Sequence, residues 1–351
     1  GASCLAERIS TATGLQIAAL AARADALTAC RTKPRAAGGF ESGVGTALFV
    51  NAAALPGAWL RELLAGDEPV AVTQGDRLLG ARVAVEPARA ALAASDVEAH
   101  LAGLGLPSHP AETRVIEHPW QLMEWNAEAI TADLARLAAG QRGDVHASVA
   151  FLGDGRVSVE LGARVDPFCV IDARNGPVVV RRRALVGAHT VLVGPCVVGE
   201  GTQLLGGMIA RTTIGRECRI AGEVEDCVWQ GFVNKRHHGF VGHSVIGEWV
   251  NLGALTTTSD LKNNYGTVRV TVDGSELDTG ATKIGSVIGA HVKTGIGTLL
   301  PTGAVVGTGA NLFGGGRFAP KSVPSFGWWD GKTMIEHRLE RFIRTAQTAM
   351  S

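Results

Sequence analysis

The sequence is poor in aromatic residues and carries no net charge. Phenylalanine, tryptophan and tyrosine make up 5% of the 351 residues, and Tyr265 is the single tyrosine. Lysine plus arginine number 33, as do aspartate plus glutamate, so no long-range electrostatic term favours nucleic acid or an anionic membrane as a partner. With 46% hydrophobic residues, we expect a large core built mainly of alanine, valine, leucine and isoleucine, and disorder is excluded.

Long apolar runs and paired cysteines are also absent. No run approaches the roughly 20 apolar residues of a membrane helix, and the N-terminus shows no signal-peptide pattern. We therefore expect a soluble, cytoplasmic protein. Without a CxxC pair, neither a zinc knuckle nor a redox motif is predicted, and the thiols are expected to be buried in a reducing compartment. The cysteines are Cys4, Cys30, Cys169, Cys196, Cys218 and Cys227.

Glycine, by contrast, is in excess, with 46 residues, and much of it follows a six-residue period. From about residue 144 an aliphatic residue, often followed by glycine, recurs before four small or polar residues, which is typical of a parallel β-helix. Each aliphatic side chain is expected to enter a narrow interior without room for rings. The glycines are expected at coil corners, where a side chain would crowd the turn and positive φ is needed. A β-sandwich would instead alternate with period 2. The repeat positions are Val186, Leu192, Val198, Leu204, Ile214, Ile220, Ile246, Leu252, Thr258, Ile288, Thr294, Leu300, Val306 and Leu312.

A change of character near residue 143 predicts the domain organisation. Residues 1–142 are expected to form an α/β domain, residues 143–316 the β-helix, and residues 317–351 a loop and helix, the helix over about 333–349. Within the first domain we predict a helix over 5–13, a strand over 47–51, a hairpin of 69–72 with 78–83, and a helix from Pro119 to Gly140.

Two stretches, 223–244 and 260–283, break the repeat, and insertions of this kind commonly form the binding face of a solenoid. The first contains the sequence QGFVNKRHHGF at 230–240 and is followed by IGEWVNLGA at 246–254, and the second contains LKNNYG at 261–266. These motifs resemble the acyltransferase half of bacterial sugar nucleotidyltransferase-like proteins, relatives of the bifunctional glucosamine-1-phosphate acetyltransferase and N-acetylglucosamine-1-phosphate uridyltransferase.

The resemblance implies a left-handed β-helix, a homotrimer and an acetyltransferase that uses acetyl-CoA on a sugar phosphate or nucleotide sugar. It also implies a catalytic histidine nine residues before the aliphatic-glycine-acidic step at Ile246, which is His237. Acyl transfer from a thioester needs a base that titrates near neutrality, and histidine is such a base. The alternative for His237 is a loop side chain that contacts only solvent.

Further site residues follow from the resemblance alone. Lys235 and Arg236 are expected to hold a sugar phosphate, unless they form a solvated basic patch. Sugar hydroxyls are expected to contact Asn251, Asn264 and Tyr265. CoA is expected to lie along small residues of the coils, although coil geometry also demands these glycines. The small residues are Ala254, Gly295, Gly297 and Gly307.

The N-terminal domain resembles a nucleotidyltransferase domain, with two departures. The glycine-rich nucleotide loop is expected upstream of Gly1. The strand that would deliver a Mg²⁺-binding aspartate delivers Asn51, a poorer ligand for this hard cation. Mg²⁺ is therefore expected only if nucleotidyl transfer is retained. The alternatives to an acyltransferase are a sugar-1-phosphate nucleotidyltransferase with an oligomerising β-helix and a non-catalytic nucleotide-sugar-binding protein.

A metal centre is the last alternative. His238 and His243 are five residues apart, which resembles the β-helical carbonic anhydrases, where histidines from neighbouring coils bind zinc. A third histidine is needed about two coils earlier, and His189 is out of step with that position. We therefore predict no metal site.

Overall fold

The structure, a computed structural model, describes residues 9–10, 12–14, 45–135, 140–141, 143–272 and 274–351. The chain forms two compact units that divide between Glu117 and His118. Of the predicted helix over 5–13, residues 9, 10, 12 and 13 are helical, and its remainder lies outside the described residues, as do Cys4 and Cys30. Among the described helices, none has the length and apolar character needed to cross a bilayer.

The described elements of the first unit are β1 (Thr46–Val50), α1 (Trp59–Leu64), β2 (Val70–Gln74), β3 (Arg77–Ala84), α2 (Val85–Ala93), α3 (Val97–Ala102) and β4 (Ser108–Pro110). The strands form a sheet in the order β1-β3-β2-β4. The predicted strand is confirmed as β1, and the predicted hairpin as the antiparallel pair β2 and β3, whose turn has Gly75 at φ +58°. Arg82 is buried and donates to the carbonyls of Leu63 (2.6 Å) and Glu68 (2.7 Å), so its charge lies at the C-terminus of α1, where the helix dipole favours a cation.

The second unit begins with two helices, α4 (Pro119–Glu124) and α5 (Asn126–Leu134), and ends with α6 (Leu339–Met350). Short strands lie between them. They are β5 (Gly140–Gln141), β6 (Asp144–Val145), β7 (Ala150–Leu152), β8 (Val157–Val159), β9 (Arg164–Val165), β10 (Val170–Asp172), β11 (Val178–Val180), β12 (Leu185–Val186), β13 (Thr190–Val193), β14 (Cys196–Val198), β15 (Gln203–Ala210), β16 (Thr213–Arg216), β17 (Arg219–Glu225), β18 (Val228–Gly231), β19 (Asn234–Lys235), β20 (Phe240–Gly242), β21 (Val245–Ile246), β22 (Asn251–Leu252), β23 (Thr257–Thr258), β24 (Arg269–Val272), β25 (Ser275–Asp278), β26 (Ser286–Ile288), β27 (Lys293–Thr294), β28 (Leu299–Leu300), β29 (Ala304–Val306), β30 (Asn311–Leu312), β31 (Ser322–Val323), β32 (Gly327–Trp329) and β33 (Met334–Glu336).

These strands form the predicted parallel β-helix. One ladder runs β31-β29-β26-β21-β18-β16-β14-β11-β8-β5, so each strand pairs with the equivalent strand of the next coil rather than with its neighbour in sequence. Every repeat position predicted to point inward is at most 5% exposed. The period of six therefore reports the inward side chains of the coils, and the β-sandwich alternative is wrong.

The repeat glycines are required by close approach and not by φ. A Cβ on Gly199 would lie 2.4 Å from the backbone of Gly215 in the next coil, and one on Gly307 would lie 2.3 Å from the Ser325 nitrogen. Neither glycine has positive φ, whereas other corner glycines such as Gly201 (φ +67°) and Gly309 (φ +71°) do, so that part of the prediction holds at some corners and not at these two. Positive φ occurs also at other corner positions, where larger residues such as Trp249 (φ +63°) adopt it.

The prediction that the interior has no room for rings is also wrong at two coils. Trp329 is 6% exposed and pairs with the inward Leu312. Trp229 is 1% exposed and lies in register between Ile214 and Ile246. The other inward side chains of the same coil are Lys235 and Val241, in register with Ile220 and Val224 of the preceding coil.

Helices α4 and α5 pack on the coils. Trp120 and Met123 of α4 contact Val268 and Ile284, and the amide of Asn126 accepts from the Thr213 hydroxyl at 2.7 Å. The parallel ladder already includes β5 at Gly140–Gln141, and because of this helix packing the compact unit starts at His118.

At the C-terminal end, a helix is predicted over residues 333–349. The structure places Met334–Glu336 in β33, antiparallel to β32, and α6 covers Leu339–Met350. The helix is confirmed, but its predicted start is wrong because the hairpin comes first.

The four cysteines that the structure describes, Cys169, Cys196, Cys218 and Cys227, are free and buried, as predicted. Burial raises the pKa of the Cys196 and Cys218 thiols to about 12. These thiols therefore act as small apolar side chains.

Candidate functional site

Three coil corners form a continuous edge of the β-helix, which we call the corner column: residues 236–239, 253–256 and 295–298. The Leu255 amide donates to the His238 carbonyl at 2.9 Å, and the Gly297 amide donates to the Ala254 carbonyl at 2.8 Å. This stacking brings the predicted base, His237, to the same edge as Ala254 and Gly297, two of the residues predicted to contact CoA.

His237 lies at the exposed first corner of this column, between the exposed Arg236 and His238. In the described chain, the sole hydrogen bond at His237 is to its carbonyl, which accepts from the Lys235 ammonium at 2.8 Å. The imidazole is therefore open to solvent and to a substrate that approaches this edge.

Lys235, predicted to hold a phosphate, lies in the interior. Lys235 is 2% exposed, and its ammonium also donates to the Ala221 carbonyl at 2.7 Å. Burial lowers the pKa of this amine to about 8. Arg236 is thus the exposed member of the predicted phosphate-binding pair.

A row of polar side chains lines the outer face of the strands that lead into the corner column. Asn251 lies in this row, and its Oδ1 accepts from Asn234 Nδ2 at 2.7 Å. Lys293 and Asn311 follow in register. Burial lowers the pKa of Lys293, whose ammonium donates to the Trp249 carbonyl at 2.6 Å. Lys293 and Asn311 were not predicted as site residues, although each immediately precedes a repeat position, as Asn251 does.

Gly295 and Gly297 also lie on the corner column, whereas Gly307 starts a different corner. Gly297 has φ +69°, and a Cβ there would be in ordinary contact with the Gly316 nitrogen, at 3.9 Å. Beside these small residues stand two exposed apolar side chains, Leu255 (58%) and Ile296 (73%), which the sequence analysis also missed. The column thus offers an apolar strip of small residues on the same edge as His237, which we call the open strip: Ala254, Gly295 and Gly297.

Asn264 and Tyr265 lie on the insertion that contains the β24–β25 hairpin, away from the corner column. Tyr265 is 72% exposed with φ +56°, and Asn264 Oδ1 accepts from the Gly266 amide at 3.1 Å. Among the described residues, no hydrogen bond, ion pair or ring contact joins either side chain to the corner column.

His243 belongs to another corner and to an ion-pair network. Its Nδ1 lies 2.7 Å from the Asp260 carboxylate and its Nε2 3.5 Å from that of Asp226. Glu225, Asp226 and His243 have ligand atoms within 4.8 Å of one another, but the Arg211 guanidinium already binds both carboxylates, at 3.2 and 2.6 Å. His238, the other histidine of the metal alternative, stands on the corner column instead.

In the N-terminal unit, Asn51 stabilises a turn. Its Oδ1 accepts from the Ala53 amide at 3.0 Å, and its Nδ2 donates to the Leu78 carbonyl at 3.2 Å. A neutral amide whose oxygen already holds a backbone amide does not fit Mg²⁺, which prefers carboxylates.

Comparison with known proteins confirms the resemblance in both halves. Residues 6–142 match the family described as Sugar nucleotidyl transferase. A bifunctional sugar-1-phosphate nucleotidylyltransferase/acetyltransferase of Sulfurisphaera tokodaii is 39% identical over 79 residues, 22% of this chain and 20% of that protein. The bifunctional protein GlmU of Paracidovorax citrulli is 30% identical over 207 residues, 56% of this chain and 38% of that protein. The chain therefore spans between about a fifth and two fifths of the length of these curated relatives.

Among solved structures, the N-acyltransferase AntD from Bacillus cereus, crystallised with dTDP and coenzyme A, is 12% identical. The alignment covers 62% of this chain and 94% of AntD, with a TM-score of 0.21.

Proposed function

We propose that the chain is a CoA-dependent acyltransferase that transfers an acetyl group to a sugar phosphate or nucleotide sugar, with His237 as general base. The observation that carries this proposal is the corner column, where an exposed histidine stands on the same edge as the open strip of Ala254, Gly295 and Gly297. The relatives whose names include acetyltransferase support the reaction class.

Each step of the proposed acyl transfer has a residue on or beside the corner column that could perform it. The thioester supplies the acyl group when acyl-CoA is bound, and the small residues with Leu255 and Ile296 suit its apolar pantetheine arm. Arg236 would attract a phosphate, and Asn251 offers amide donors and acceptors for sugar hydroxyls. His237 would take the proton from the attacking amine or hydroxyl and return it to the departing thiolate, so the reaction releases free thiol.

Thiol release tests the proposal. Purified protein is incubated with acetyl-CoA and a panel of amino sugar phosphates, sugar phosphates and nucleotide sugars, and free thiol is followed by colour reagent. We expect acceptor-dependent release with at least one class. Absence of release across the panel, with folded protein, would contradict an acyltransferase.

The family match over residues 6–142 favours one further candidate, sugar-1-phosphate nucleotidyl transfer. Its test is pyrophosphate release with Mg²⁺, a nucleoside triphosphate and the same sugar phosphates. The bonding of Asn51 predicts none. If neither assay responds while a nucleotide sugar raises the melting temperature, a non-catalytic binding protein is the better account.

A further inference from the structure

The interior of the β-helix is apolar along one column until it reaches Lys235. The register pairs Val186 with Leu204, Leu204 with Ile220, and Ile220 with Lys235. All four residues are at most 2% exposed. A lysine thus occupies a position whose predecessors are aliphatic, and transfer of an ammonium group into such an environment is unfavourable unless its hydrogens are bonded.

The ammonium bonds two backbone carbonyls that belong to different coils. One is Ala221, in the strand of the preceding coil, and the other is His237, at the first corner of the corner column. Hydrogen bonds from a charged donor are about twice as strong as neutral ones. The lysine therefore ties the corner that carries His237 to the coil beneath it.

The preceding coil leaves room for this contact. Gly222 has φ +88°, and a Cβ there would lie 3.1 Å from Lys235 Nζ and 3.0 Å from the Gly239 carbonyl oxygen. A larger residue would press on both the ammonium and the end of the same corner. The absence of a side chain at residue 222 thus belongs to the same arrangement.

We propose that Lys235 is a positioning residue, which acts from the interior by holding the backbone of the 236–239 corner and so fixing the direction in which His237 faces the acceptor. This inference rests on the proposed function for the part that concerns catalysis. The ordering of the corner is a property of the protein alone and is measurable without substrate.

The test compares Lys235→Met with wild type and with a control, Leu204→Met, in the same column. Methionine keeps the unbranched shape of lysine but donates no hydrogen bond, and the control changes packing two coils away without touching the corner. Amide hydrogen exchange of a peptide that contains residues 236–239 is measured by mass spectrometry in the full chain. Loss of a charge-assisted bond is expected to accelerate exchange about tenfold or more in Lys235→Met and to leave Leu204→Met near wild type.

Kinetics of thiol release form the second readout. We expect kcat to fall about tenfold or more in Lys235→Met while KM for acetyl-CoA stays within about twofold, because the residues of the open strip are untouched. If Lys235 had only a structural role, Lys235→Met would change the melting temperature, but its amide exchange at residues 236–239 and its kcat would equal those of Leu204→Met.

Unchanged exchange at the corner in a folded Lys235→Met protein overturns the proposal. If wild type itself releases no thiol with any acceptor, the acyltransferase function fails, and the exchange result still decides whether Lys235 orders the corner. Lys235→Leu, the side chain found at Leu204, is the second variant. Failure of both variants to fold would assign Lys235 to stability alone and also overturn the proposal.

Discussion

Replacement of the buried ammonium of Lys235 by methionine is expected to stabilise the fold, and to do so in a pH-dependent manner. The pKa of Lys235 falls from 10.5 to about 8 through burial. At 1.36 kcal/mol for each unit of pKa, this difference corresponds to about 3 kcal/mol of unfavourable free energy for the charged form in the folded state. Loss of the hydrogen bonds to the Ala221 and His237 carbonyls opposes this gain by about 1 to 3 kcal/mol, so a small net stabilisation is expected at pH 7.

The sign follows from proton binding. Between pH 8 and 10.5 the unfolded chain retains the lysine proton that the folded chain has lost, so the stability of wild type rises with pH across this window. The stability of Lys235→Met lacks this contribution. The difference in unfolding free energy between variant and wild type should therefore be largest below pH 8. It should shrink by about 3 kcal/mol by the time the pH passes 10.5.

Urea denaturation of the two proteins at pH 7, 8, 9 and 10, followed by the fluorescence of the tryptophans, measures this difference. Leu204→Met serves as a control whose effect on stability should not change with pH. The reasoning is refuted if Lys235→Met is less stable than wild type by more than about 1 kcal/mol at pH 7, or if the difference between them is constant over the whole range.

Three other outcomes are expected. Gly307→Ala should lower the melting temperature sharply, because the added Cβ would lie 2.3 Å from the Ser325 nitrogen. The control Gly45→Ala places its Cβ in open space and should change the melting temperature little. Equal effects of the two substitutions would contradict the requirement for close approach at Gly307. Asn251→Ala should raise KM for the acceptor about tenfold with little change in KM for acetyl-CoA, and an unchanged acceptor KM would remove Asn251 from the site. The buried thiols of Cys196, Cys218 and Cys227 should react with a thiol reagent only after denaturation, which a count of reactive thiols in native and denatured protein measures. Rapid reaction of any of the three in the native protein would contradict their burial.

The sequence predicts the β-helix well because its signal is local and repeated. Val186 pairs with Leu204, eighteen residues on, so a period of six maps directly onto three inward positions for each coil. Ala254 and Gly297 lie two and three residues after the inward Leu252 and Thr294, so the same repeat also predicts that both residues lie at one corner.

The position of Lys235 was not predictable in this way. Ile220 pairs with Lys235 only fifteen residues on, so counting in sixes from Ile220 does not reach Lys235, although Trp229, Lys235 and Val241 keep the step of six among themselves. A charged residue beside Arg236 in a histidine-rich loop is naturally interpreted as exposed. The register of the parallel strands, which depends on contacts between coils, is what turns its side chain inward.

Asn264 and Tyr265 were grouped with His237 because they are near in sequence and part of one motif. The structure separates them, since the insertion that carries them leaves the β-helix at the corner of His243 and Asp260 rather than at the corner column. Sequence proximity in a solenoid does not distinguish one corner from the next, and a shift of six residues moves a side chain to another edge.

The most direct test of the central claim is the rate of acceptor-dependent thiol release by two neighbouring variants, His237→Ala and His238→Ala. The two imidazoles are both exposed on the same corner, so the pair controls for charge, burial and stability. The account predicts a loss of about 10²-fold or more in kcat for His237→Ala and near wild-type turnover for His238→Ala. Equal turnover by His237→Ala and wild type would contradict the assignment of His237 as the base.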